Sequence, residues 1–152
     1  MKLWGVWVIC TILCWGAYVP TLHHGQMAFG DKNSALRAFL FVGLAYLIVA
    51  ALTLFYLVAT KAEPLAFTTK GVTISTTAGI LGAVGAIGIV FAMRAGGKPL
   101  FVAPLVFAGA PIVNTIVSMA WSRPATPPKM WFYVGILMAG AGAALALRFK
   151  PT

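Results

Sequence analysis

The chain has 152 residues, of which 61% are hydrophobic and only 9% are charged. A soluble domain of this size carries about 25% charged residues, and burying an ion in lipid costs about 2.5–3.5 kcal/mol or more, so the deficit reads as adaptation to a bilayer. The net charge of +9 comes from 11 Lys and Arg against Asp31 and Glu63; the basic residues flank the apolar runs, which fits contact with lipid headgroups and excludes nucleic-acid binding, since no soluble element carries a basic face.

The first apolar run, Leu3 to Val19, opens after Lys2 and resembles a secretory signal, but no small-x-small cleavage site precedes Pro20. It predicts an uncleaved first transmembrane helix. Trp7, Thr11, Cys14 and Tyr18 share one stripe at spacings of four, three and four, a face that prefers protein or a cavity to lipid. Cys10 and Cys14 read as two small buried thiols, because i,i+4 geometry on a helix disfavours a disulfide. Pro20 to Ser34 reads as a polar connection holding His23, His24 and Asp31. Adjacent loop histidines are usually solvated, and no metal site is expected.

Ser34 is the expected N-cap of a second helix over 35–59. Arg37 in its first turn opposes the helix dipole, so either a lipid headgroup or another compensating anion is expected beside it. Gly43, Tyr46, Ala50 and Thr53 form the small or polar stripe of this helix. After a loop to Gly71, the third helix covers 72–93, with Ser75, Gly79, Gly82 and Ala86 on one close-packing face. The basic turn from Arg94 to Pro99 leads to a fourth helix over 100–121.

In that helix Pro111 withholds the usual donor from the Phe107 carbonyl, and Asn114 and Ser118 follow on the same side. An unpaired carbonyl beside an amide and a hydroxyl is either a polar binding site at membrane depth or a kink satisfied by neighbouring helices. A Pro-rich loop, Ser122 to Lys129, precedes the fifth helix over 130–147. Its small faces predict tight packing, through Ala139 with Ala143 or Gly140 with Ala144, and no role in lining a site. The expected fold is therefore all-α, a polytopic membrane protein of five transmembrane helices in a single domain, 1–152.

Five spans divide the basic residues almost evenly. Lys2, Lys61, Lys70, Arg123 and Lys129 fall on one side; Lys32, Arg37, Arg94, Lys98, Arg148 and Lys150 fall on the other. Orientation is normally chosen by an asymmetry in this count. Its lack fits insertion in both directions and an antiparallel homodimer, or an orientation set by synthesis order or a partner subunit.

Three stretches carry a family likeness: the Gly-rich third helix with its basic turn, the fourth helix PLVFAGAPIVNTIVSMAW with Pro111, and the closing MWFYVGILMAGAGAALAL. With LCWGAYVP of Leu13 to Pro20, they resemble one five-helix repeat of the drug/metabolite transporter superfamily, EamA type. The chain departs from that pattern in two places. No Gly-Glu pair follows the fourth helix, and no span contains the carboxylate used by small proton-coupled relatives. Members with two repeats have ten helices; this chain has one set of five. The resemblance implies a cavity between two repeats and transport of a small metabolite. Carried over, the cavity is lined by Tyr18, Tyr46, Asn114 and Ser118. Without an intramembrane acid the expected substrate is neutral, zwitterionic or anionic, no cofactor is implied, and a bacterial copy would lie in the inner (plasma) membrane. The competing expectation is a non-catalytic accessory subunit of a larger membrane complex. An enzyme is disfavoured, since no nucleophile with a base and no phosphate loop occurs.

Overall fold

The structure, a computed structural model, describes residues 3–30, 34–122 and 124–150. Lys2, Asp31, Lys32 and Arg123, which enter the charge comparison above, lie outside the described residues. The described chain is all-helical. Its five helices are α1 (Leu3–Ala28), α2 (Ala35–Thr60), α3 (Thr69–Arg94), α4 (Pro99–Trp121) and α5 (Met130–Arg148). Each is long and apolar enough to cross a membrane.

α1 departs most from expectation. It does not stop before Pro20 but runs on to Ala28, so His23, His24 and Gln26 are helical residues and the expected polar loop shrinks. Pro20 removes one backbone hydrogen bond and crowds the carbonyl of Gly16, at a cost of about 3 kcal/mol in a helix interior. The helix nevertheless continues through it to Ala28. The helix closes at Gly30, whose φ of +80° is open to glycine at no steric cost.

The other ends follow local chemistry. Ser34 occupies the N-cap position of α2 yet makes no side-chain cap. Its hydroxyl instead donates to the main-chain oxygen of Gln26 at 2.6 Å and ties the start of α2 to the end of α1. α2 ends on Lys61, held left-handed at φ 52°, with its N–H on the Leu57 oxygen. α3 begins earlier than expected because Thr68 caps it, accepting from the Gly71 N–H at 3.2 Å. Pro99 sits in the first turn of α4, where its missing N–H costs nothing.

The backbone falls into two compact units. One contains the start of α1 with α4 and α5. Here α4 lies against α5. A Cβ added to Gly140 would meet Ile112 Cδ1 at 3.2 Å, and Ala143 one turn on is buried, so these two small residues carry the contact. Trp15 of α1 meets Phe107 of α4 edge-on, with ring centroids 6.0 Å apart. The second unit contains the end of α1 with α2 and α3, and α2 lies against α3. Its core draws on Leu22, Ala35, Ala38, Ile89, Val90 and Met93, with Gln26 and Ser34 buried among the polar residues. Phe29 stacks on Phe41 at 5.8 Å, and the Arg37 guanidinium lies 5.4 Å over the Phe29 ring.

Between 6% and 11% of each candidate span is buried within the chain. Leu40, Leu52, Phe55, Leu81, Leu100 and Ile116 all project outward with more than half their surface free. Burial stabilises at about 25 cal/mol per Å² of apolar surface, and these side chains leave most of it uncollected within the chain. Cys10 and Cys14, expected to be buried, are free and exposed. They stand on a stretch of α1 that few neighbours cover, and a thiol tolerates an apolar environment.

Candidate functional site

Several of the threonine hydroxyls along the helices satisfy themselves. Thr11 donates to the Trp7 oxygen at 2.9 Å, Thr53 to the Val49 oxygen at 2.8 Å, and Thr77 to the Thr73 oxygen at 2.8 Å. A threonine bonded back to the carbonyl four residues earlier presents its methyl group outward and needs no partner in lipid. The polar faces read from Thr11 and Thr53 are therefore apolar in effect.

Asn114 has no such recourse. Its amide is too large for the back-bond a hydroxyl makes, and among the described residues it has no hydrogen-bond partner. It stands on α4 four residues before Ser118, so the two share one face, and the extended residue Ser122 follows just past the helix end. Thr115 lies beside them and donates to the Pro111 oxygen at 2.8 Å. Together these four polar residues line a groove of about 230 Å³, with Met119, Phe132, Pro124 and Pro128 as its apolar lining. Tyr133, next to Phe132, donates its hydroxyl to Met119 Sδ at 3.8 Å and steadies that wall. From Asn114 to Trp121 the groove follows about 10 Å of helix. It runs from the α4–α5 loop inward.

The groove holds neutral hydrogen-bonding groups and no charged side chain among its described lining. An amide offers two donors and an acceptor, and each serine offers one donor and lone pairs. Such a set discriminates by shape and hydrogen-bond pattern rather than by charge.

Of the four residues expected to form a site, the structure brings Asn114 and Ser118 together. Tyr18 belongs to the same unit but does not line this groove; it is half-buried, with its ring 6.5 Å from that of Trp15. Tyr46 belongs to the other unit and is 66% exposed. Thr115, Ser122 and Phe132 are additions that the sequence reading does not contain. The four-residue rhythm Asn114–Ser118–Ser122 is readable in the sequence, but Ser122 reads there as part of the loop. The expectation that α5 lines nothing is corrected by Phe132: α5 opens with Trp131, Phe132 and Tyr133 in its first turn, and its small residues begin only at Gly135.

A second, apolar cleft of about 380 Å³ lies between Thr11, Ile12, Trp15 and Gly16 of α1 and Phe107 of α4. With its hydroxyl turned back to its own helix, Thr11 brings the cleft shape without hydrogen bonding. Among the described residues no group of three or more His, Cys, Asp or Glu side chains is placed to hold a metal ion. No family model, no curated protein and no solved structure matches this chain.

Proposed function

We propose that this chain is an integral membrane transporter for a small neutral, zwitterionic or anionic metabolite. In this reading two copies act together as an antiparallel homodimer of five-helix repeats, and in a bacterium they lie in the inner membrane. The observation that carries the reading is Asn114, an unpartnered amide within a helix long and apolar enough to cross a membrane. Leaving an amide without a partner in a medium that cannot hydrogen-bond costs about 4–8 kcal/mol. A span does not keep such a group unless something polar meets it, and the groove at Asn114 is open to receive a small molecule. The near-even split of basic residues supports entry in both orientations. Two inverted copies then reproduce the two-repeat arrangement that many carriers hold in one chain, with transport by rocking about a central site.

Uptake into proteoliposomes, measured with a panel of amino acids, sugars and organic ions, tests the reading. Accumulation of one class, abolished in Asn114→Leu at unchanged protein level, supports it. Uptake that survives both Asn114→Leu and Ser118→Ala removes the groove from consideration.

One observation favours a second reading, an accessory subunit of a larger membrane complex. Gly79, Gly82, Gly85 and Gly88 of α3 have open space where a Cβ would stand. Small-residue faces of this kind let another helix approach closely. Purification alone in detergent separates the readings: a stable dimer supports the carrier, and obligate co-purification with another protein supports the subunit.

A further inference from the structure

We infer that the cleft between α1 and α4 binds a small uncharged aromatic molecule carrying an N–H or O–H donor, received by the main-chain oxygens of Gly16 and Phe107. α1 carries Pro20 in its interior, and α4 carries Pro111. A proline has no N–H to give to the carbonyl four residues earlier. For Pro20 that carbonyl belongs to Gly16, and for Pro111 it belongs to Phe107. Both residues line the same cleft of about 380 Å³, with Thr11, Ile12 and Trp15 completing its described lining. The cleft and both prolines lie in one compact unit of the chain. Gly16 has no side chain, so what it presents to the cleft is main chain. A Cβ built on it would meet nothing within 4 Å, so there is room beside that backbone. Thr11 and Thr115 are committed elsewhere: Thr11 donates to the Trp7 oxygen at 2.9 Å and Thr115 to the Pro111 oxygen at 2.8 Å.

The rest of the lining is aromatic and aliphatic. The Trp15 ring stands edge-on to Phe107 with centroids 6.0 Å apart, and Trp15 is 51% exposed. Apolar walls, a few polar groups to fix orientation and a volume of about 300–1,000 Å³ make up a small-molecule site. A carbonyl oxygen only accepts, so the ligand has to donate. No charged side chain occurs in the described lining, so a charged ligand would be buried without a counter-charge and an uncharged donor is preferred. An aromatic body packs on the Trp15 and Phe107 rings in the offset or edge-on manner that such rings favour. A hard cation fails, because it takes about six or more oxygens and this lining is mostly carbon. A lipid acyl chain fills the apolar part and gives the carbonyls nothing.

In a span, a carbonyl freed by proline is met by a neighbouring helix, a hydroxyl or water. Here the freed carbonyls of two helices belong to residues that share one cleft, and a donor-bearing ligand serves in place of those partners. That water is scarce at these oxygens rests on the membrane reading above; the cleft and the placement of the prolines do not.

The test uses the full chain in maltoside detergent. The probe is para-fluorophenol, and its methyl ether, para-fluoroanisole, supplies the same body without the donor. The shift and broadening of the fluorine resonance are titrated against the chain and corrected with protein-free micelles. Saturable binding of the phenol is expected, about tenfold tighter than that of the ether, the effect of one hydrogen bond to an otherwise unserved acceptor. Gly16→Leu fills the cleft and abolishes binding. Pro111→Ala returns an N–H to the Phe107 carbonyl, so it weakens phenol binding about tenfold while raising the melting midpoint. A proline with a merely structural role does not give that pair of opposite changes. Thr68→Ala, in the other compact unit, leaves binding unchanged. Equal affinity for the two probes, or unchanged phenol affinity in either Gly16→Leu or Pro111→Ala, overturns the site. Should Gly16→Leu misfold, the two probes and Pro111→Ala decide. Failure of the metabolite uptake experiment with phenol binding intact removes the carrier reading and leaves this cleft, and the converse result leaves the carrier without it.

Discussion

Asn114 and the threonines illustrate how single side chains divide the work. Thr53 and Thr77 close on their own helices at 2.8 Å, so replacing either with valine keeps the shape and removes a bond that has little net worth. Thr53→Val is expected to shift stability by less than about 1 kcal/mol in detergent melts. Asn114→Leu is expected to act in two opposite directions: uptake is lost, and stability is unchanged or raised by about 1–3 kcal/mol, because an unsatisfied amide has gone. A loss of both uptake and fold would show that Asn114 is paired inside the protein and is not a ligand contact. Gly140 is limited by space. The Ile112 methyl, 3.2 Å from where a Cβ would stand, can yield to alanine, whereas Gly140→Leu is expected to pry α4 from α5 and cost about 2–3 kcal/mol. Uptake and melting of the two variants, measured side by side, check the ordering.

Helix ends are where local rules and surroundings compete. Thr68 follows the water-based rule, and Thr68→Ala is expected to cost about 1 kcal/mol and fray the start of α3, seen as faster amide exchange at Gly71. Pro20 breaks that rule, since α1 carries it in its interior. The five apolar runs were legible because about 20 consecutive apolar residues leave few alternatives to a spanning helix. The extension of α1 was not legible, because Pro20 opens a polar, Gly-containing stretch and reads there as a helix breaker. The early start of α3 was legible in principle, since Thr68 precedes it as a cap residue. Which helices lie together was not: with every face apolar, periodicity does not say that α4 meets α5 or that α2 meets α3. The groove was half legible. Asn114 and Ser118 stood out as polar groups in an apolar run, while Phe132 entered only through the packing of α4 on α5.

At the scale of the whole molecule, nearly all the apolar surface that folding usually hides is still outward. The chain is expected to need detergent or lipid to stay dispersed. A C-terminal reporter offers the matching measurement on topology. Signal from both sides of the membrane supports two-way insertion, and signal from one side rules out the antiparallel pair. The helices also differ in length: α1, α2 and α3 have 26 residues each, α4 has 23 and α5 has 19. α5 spans about 28 Å and the first three about 39 Å, a disparity of two helical turns. In a bilayer, lipids beside α5 would meet a shorter wall than lipids beside α2, and the leaflet would have to thin or the long rods to lean. Acyl chain length then becomes a dial on this protein: reconstitution in a series from about 14 to 22 carbons, the range over which bilayer thickness brackets these helices, should give an optimum at intermediate chains and falling stability on either side.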